Sequence, residues 1–291
     1  MKKYNFNKAY ALINFHLANN LSKFLISFGF LFYHFQPVFS QNLFVLDSKI
    51  HNHYITKING VTYYKNVPFT GKFVELYDNG KARVKGEMLN GVWHGPCSIY
   101  FLSGNLWKLG TYSFGLQDQT STEYHSNGKV RSIGNYLDGK KNGYWESFHD
   151  NGRIDVKASY DHDLQVGEWV FYKPNGSKFR ELYFVNGLKN GFEIIYQENG
   201  VIDVKTPYIM GVAHGIQSTF YSTGELYCQS NYVQDEIIGD VICFFKSGVV
   251  QSRGQKVNSK NEGEFYYFNE YGSLVRNEIW NNNNRISYKL F

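Results

Sequence analysis

The chain has 291 residues, a formal net charge of +5, and 43% hydrophobic and 18% aromatic residues. Lys2, Lys3, Lys8 and Lys23 lie in the first 40 residues, which hold no Asp or Glu, so the remainder balances 26 basic against 25 acidic residues. That interspersed, near-neutral balance leaves no basic stripe and argues against a nucleic-acid partner. The 24 Tyr, 24 Phe and 28 Gly against 5 Pro suit short aromatic strands joined by tight turns.

In chain order, residues 1–40 read as a secretory signal peptide. The start is basic, an apolar stretch runs from Phe24 to Phe35, and Val38 and Ser40 stand at −3 and −1 before Gln41. The stretch carries Tyr33 and His34, and it is shorter than the ~20 apolar residues of a membrane span. The expectation is an exported chain in the periplasm, at the cell surface or secreted, with no transmembrane span after maturation; the alternative is a segment left as an anchor. Residues 41–62 read as a linker and lead-in. Within them His51 and His53 have no further ligands at metal-site spacing and read as polar linker residues.

From Gly71 onward a 24-residue period takes over. Gly80, Gly104, Gly128, Gly152, Gly176, Gly200, Gly224, Gly248 and Gly272 recur without insertion. A second series precedes it by nine residues: Gly71, Gly95, Gly143, Gly167, Gly191, Gly215, Gly239 and Gly263, with Gln119 the exception. A fixed period of this length means a repeat architecture. Positions are counted below from the first glycine of each repeat as position 0.

One unit reads as a hairpin. In Gly167-Glu-Trp-Val-Phe-Tyr-Lys-Pro-Asn-Gly176 an aromatic run meets a Pro-Asn-Gly turn signal, and a second run follows. Position 5 is aromatic in eight copies and Leu76 in the first, and position 11 is mostly aliphatic. With the turn centred on position 8 these two oppose each other. Position 15 is Gly or Ala in five copies, and position 17 is aromatic in seven. Period-2 alternation puts positions 11, 15 and 17 on one face. One hairpin cannot bury such a face, but stacked hairpins can. The expected fold is therefore all-β: an elongated single-layer antiparallel sheet of about nine stacked 24-residue β-hairpins over residues 63–286, with a tail at 287–291. Gln119 and the non-glycine residues at position 20 (Asp163, Asp235, Ser259 and Asn283) mark copies expected to have altered loops.

The units resemble the MORN repeat in its bacterial variant form, MORN-like hairpins whose arrays form a solenoid. The pattern is seen in Tyr136-Leu-Asp-Gly139-Lys-Lys-Asn-Gly143-Tyr-Trp-Glu-Ser-Phe148-His-Asp-Asn-Gly152 and in the lead-in Tyr64-Lys-Asn-Val-Pro-Phe-Thr-Gly71. The resemblance implies a sheet of hairpins used for binding or scaffolding. Some bacterial proteins of this type are described as YwqK-type antitoxins of a toxin–antitoxin module.

No catalytic set emerges. His125 and His149 share position 6 on adjacent repeats, roughly 10 Å apart by strand spacing, too far to share a metal. Asp155 and Asp203 share position 12 but lie two repeats apart, beyond the reach of a glycosidase pair. His94 and His214 read as loop residues, and no nucleophile elbow is present. Cys97, Cys228 and Cys243 fall at positions 2, 13 and 4 and read as small packed strand residues, although the last two sit in adjacent repeats and could approach each other. No enzyme activity, cofactor or metal is expected. The expected function is an exported interaction scaffold binding a protein partner through an aromatic face. Its candidate residues are Tyr100, Tyr112, Tyr124, Tyr136, Tyr160, Tyr172, Tyr196, Tyr208 and Tyr232. An antitoxin or immunity protein and a binder of glycan or cell-wall polymer are the alternatives.

Overall fold

The computed structural model describes residues 43–46 and 54–291. The signal-peptide reading and the His51–His53 pair lie outside the described residues. Those described contain no helix; they build one 22-stranded sheet and a small three-stranded one. From Gly71–Leu76 to Asn284–Leu290 the strands of the large sheet pair antiparallel in chain order. Leu43–Leu46 joins its first edge in parallel, against Lys72 to Glu75. The lead-in is thus partly strand, and the expected tail is too, since Ser287 to Leu290 pair with Arg276 to Ile279. The sheet does not close on itself, as its first and last strands do not pair. The three-stranded sheet, Ile55–Ile58, Val61–Tyr64 and Val67–Pro68, bonds to the first repeat through Thr62 N, which donates to Gly91 O at 2.8 Å.

The fourth repeat shows how the sequence makes each hairpin. Its first strand, Lys140–Phe148, ends at a tight loop in which Gly152 N donates to His149 O, and His149 N to Arg153 O, both at 2.8 Å. Gly152 sits at φ 89°, where a Cβ is disfavoured. Such a turn ending in a left-handed glycine is a common hairpin closure. Phe148 pairs with Ile154, so the expected match of positions 5 and 11 holds. One step inward the register shifts, and Ser147 faces Val156. The residue at position 12 is bulged, and a bulge reverses alternation. Position 11 therefore turns away from positions 15 and 17. The expectation that all three share a face is corrected, because a period-2 count cannot see an inserted residue.

Successive hairpins join through two-residue turns at positions 19 and 20, both with positive φ in every repeat, such as Asn186 at 48° and Gly187 at 80°. This is the turn whose twist matches paired strands. The four copies lacking glycine at position 20 keep the same conformation (Asp163 at 72°, Asn283 at 66°), so the expectation of altered loops is corrected. Their side chains add a bond to the preceding repeat. Asp163 Oδ1 accepts from Lys141 N at 2.7 Å, Asp235 Oδ1 from Ala213 N at 2.7 Å, Ser259 Oγ from Ile237 N at 3.0 Å and Asn283 Oδ1 from Asn261 N at 2.6 Å.

The first glycine series has a different task. At position 0 the ladder between repeats is irregular, and the backbone is left-handed, as at Gly143 with φ 77°. Gln119 adopts the same conformation at φ 63°. A non-glycine residue there is held against a cost of about 1 kcal/mol. Gln119→Gly is expected to raise stability by up to that amount, less the extra chain entropy of glycine, and a urea titration comparing midpoints checks it.

Candidate binding surface

The bulge divides each hairpin into two faces. On the core face, positions 2, 15 and 17 meet. Trp145 and Trp169 at position 2 are 7% and 6% exposed, which is deep burial for a single layer. They are buried by the neighbouring repeats: Tyr136, Trp145, Tyr160, Trp169 and Phe184 follow one another edge to face, with ring centroids 5.1–6.1 Å apart. Such pairs each add about 0.5–1.5 kcal/mol beyond burial. Position 2 was not singled out in the sequence, and its signal was the small residue facing it. Gly134 pairs with Trp145, and a Cβ built on Gly134 would fall within the indole.

The nine candidate tyrosines divide between the faces. Tyr112, Tyr136, Tyr160, Tyr208 and Tyr232, at position 17, lie on the core face. Tyr100, Tyr124, Tyr172 and Tyr196, at position 5, lie on the opposite, open face. Contacts mark the division: Lys108 Nζ sits 5.5 Å from the Tyr136 ring on the core face, while Lys85 Nζ sits 5.3 Å from the Tyr100 ring on the open one. All nine are half-buried. They therefore do not form one continuous ladder, because the bulge at position 12 separates the two sets.

The comparison with known families fits this geometry. The family model described as MORN repeat variant matches residues 120–138, 141–162 and 213–234, each ending on the first residue of a two-residue turn between hairpins. The chain carries MORN repeats, matched at these three places. No curated protein matches it. A solved structure titled "Crystal Structure of TcdB2-TccC3" is similar over 77% of this chain at 11% identity with a TM-score of 0.17, and the match spans 17% of that longer chain.

On the open face, this MORN array exposes an apolar patch that the sequence reading missed. Tyr183 (49%), Phe192 (48%) and Ile216 (56%) stand at positions 16 and 1 of consecutive repeats. Alongside them Leu164, Leu188, Ile209 and Val212, at positions 18 and 21, are also exposed. Placement at different positions of different repeats concealed the patch, since each residue looks unremarkable within its own repeat. Lys205 Nζ, 4.0 Å from the Phe192 ring centre, adds a positive charge to it.

The turns along one edge of the array are tied together by side chains. Asn151 Oδ1 accepts from Arg153 N at 2.9 Å, while its Nδ2 donates to Pro174 O of the next turn at 2.8 Å. Asn79, Asn127 and Asn199 repeat the same two bonds. This explains why the turn favours Asn before its glycine. His125 Nε2 and His149 Nε2 each meet a carbonyl of the following repeat, Phe148 O and Tyr172 O, at 2.8 and 2.9 Å. Tyr77 and Tyr221 reach the equivalent carbonyl from the same position, so a histidine here acts as a rung. Asp155 lies beside Ser147 and His149, and Asp203 beside Gln197, within their own repeats.

Two buried carboxylates on the core face are matched by cations. Glu193, buried at position 2 where the two preceding repeats carry tryptophan, receives Arg180 Nε at 2.6 Å and Lys189 Nζ at 2.8 Å. Burial pushes its carboxyl up, but the Lys189 and Arg180 cations outweigh this and hold it below the usual carboxylate range. Glu278, buried beside Arg285, Tyr267 and Trp280, is lowered in the same way. A carboxylate depressed in the folded state contributes stability that is fully present above its unfolded pKa and is lost as pH falls through the folded value. Urea midpoints are therefore expected to fall as pH drops below about 4.5, with a shallower fall in Glu193→Gln. Equal pH slopes in the two proteins would refute the assignment.

Proposed function

We propose that this MORN array is an exported, non-enzymatic scaffold that binds a protein partner through the apolar patch on its open face. The observation that carries the reading is that patch: Leu164, Tyr183, Leu188, Phe192, Ile209, Val212 and Ile216 are exposed together, and contiguous exposed apolar area marks interaction surfaces. The core-face aromatics are spent on packing one repeat against the next. Export is supported by the signal-like residues 1–40 and by the disulfide between Cys228 and Cys243, a bond that persists in oxidising compartments. A toxin as the captured partner would make the chain an antitoxin or immunity protein.

The test is affinity capture from the native cell envelope with the wild-type chain and with Tyr183→Ser/Phe192→Ser/Ile216→Ser. A partner held by the wild type and lost by the variant, at unchanged thermal stability, is expected. Equal capture by both, or capture abolished only by core-face changes such as Tyr136→Ser, would overturn the reading.

A further inference from the structure

The core face changes character after Ala213. Between His214 and Glu264 Gly254 alone is buried, whereas the stretch from Ala158 to Ala213 buries Trp169, Val170, Leu182, Phe184, Glu193 and Thr206. The residues at position 2 are Gln217 and Val241, and those at position 15 are Ser230 and Gly254. Among the described residues, the ring stacking of the core face stops at Phe184 and resumes at Phe265 with Trp280. In a quasi-one-dimensional array, stability is a sum of repeat terms and nearest-neighbour terms. The seventh and eighth repeats are therefore a weakly packed stretch of it.

The disulfide lies inside that stretch. Cys228 and Cys243 are direct cross-strand partners in the ladder between Leu226–Val233 and Glu236–Phe244, 15 residues apart across the Gln234-Asp235 turn. It joins the second strand of the seventh repeat to the first strand of the eighth. This corrects the reading of both residues as packed free cysteines; Cys97 is the free one, and it is buried.

We propose that the Cys228–Cys243 bond is a redox-controlled staple, and that residues 214–262 form a hinge which opens locally when the bond is reduced while the repeats on either side stay folded. The reductant is a dithiol. One of its thiolates attacks Sγ of Cys228 or Cys243, breaking the S–S bond so that the other cysteine leaves as a thiolate and a mixed disulfide forms. Its second thiol then displaces the protein sulfur, so two electrons and two protons pass to the protein as two thiols and the reductant leaves as a disulfide. Cys97 stays out of the exchange, because burial pushes its thiol up to about 11 and leaves almost no thiolate to attack.

Hydrogen exchange on the full chain tests this, comparing the oxidised form, the form reduced with dithiothreitol, and Cys228→Ser/Cys243→Ser. Amides of residues 214–262 are expected to lose about 100-fold in protection on reduction, from the loop-closure entropy of a bridge of this length. Amides of residues 136–184 are expected to keep theirs. Thiol titration under denaturing, non-reducing conditions should find one thiol before reduction and three after. Unchanged protection in the reduced wild type, uniform loss along the array, or three thiols at the outset would each overturn the proposal. The reduced wild type keeps it testable even if the double variant does not fold.

Discussion

Trp169→Ala is expected to destabilise the centre of the array by about 3–5 kcal/mol, the range for removing a buried tryptophan. Three features place it there. The side chain is 6% exposed at the middle of the one buried cluster that joins the fourth and fifth repeats. Its ring meets Tyr160 at 5.1 Å and Phe184 at 5.4 Å, both edge to face, so truncation removes two oriented contacts together with the area. Its Nε1 donates to Ser159 O at 3.2 Å, an acceptor that loses this partner. The sheet has a single layer, so no second layer can collapse into the vacancy. The measurement is urea unfolding followed by far-UV circular dichroism, with hydrogen exchange showing where the loss falls. The loss should centre on residues 136–184 and fade within a repeat or two, as nearest-neighbour coupling requires. A change below about 1 kcal/mol would mean that the tryptophan row is decoration on the strands and not the source of their cohesion.

What the sequence disclosed follows from what periodicity can carry. Nine glycines in phase specify nine turns, and the turns at Gly80 through Gly272 close with the expected pairing of positions 5 and 11. The first glycine series was equally visible, but its role was not. It marks an irregular ladder step with left-handed backbone, which Gln119 also adopts, and only paired strands reveal such a step. The nine tyrosines looked like one ladder because alternation was extended through position 12. The bulge there puts Tyr100 and Tyr136 on opposite faces. The substitutions at position 20 looked like lapses from the pattern, yet Asp163 and Asn283 hold the same φ and supply an acceptor besides. Short polar residues tolerate the left-handed region, so the sequence did hold that signal. The open-face patch was not legible, because Tyr183, Phe192 and Ile216 differ in type and fall at positions 16 and 1. Only the inter-strand register makes them neighbours.

Gly134→Val is expected to cost about 3 kcal/mol, at the upper end of ordinary overpacking. Gly134 lies directly across from Trp145, and any Cβ at that position enters the space of the indole. The indole cannot simply tilt away. Its Nε1 donates to Asn135 O at 3.1 Å, Tyr136 and Tyr160 stand edge to face with it at 5.2 and 6.1 Å, and Lys141 Nζ lies 4.5 Å from its centre. Ala158, at the same position one repeat later, packs in a cluster with Trp169. A methyl is therefore admissible where the ring stands further off, and Gly134→Ala should cost less than the branched substitution. The discriminating measurement is a double-mutant cycle with Trp145→Ala. If the clash is the cause, valine at position 134 should cost far less once the indole is gone, giving a coupling of 1 kcal/mol or more. Additive costs would locate the penalty in the backbone instead. The same cycle on Gly254 and Phe265, where a Cβ would meet the ring in the same way, would show whether a small residue beneath an aromatic is the general rule by which one repeat seats the next.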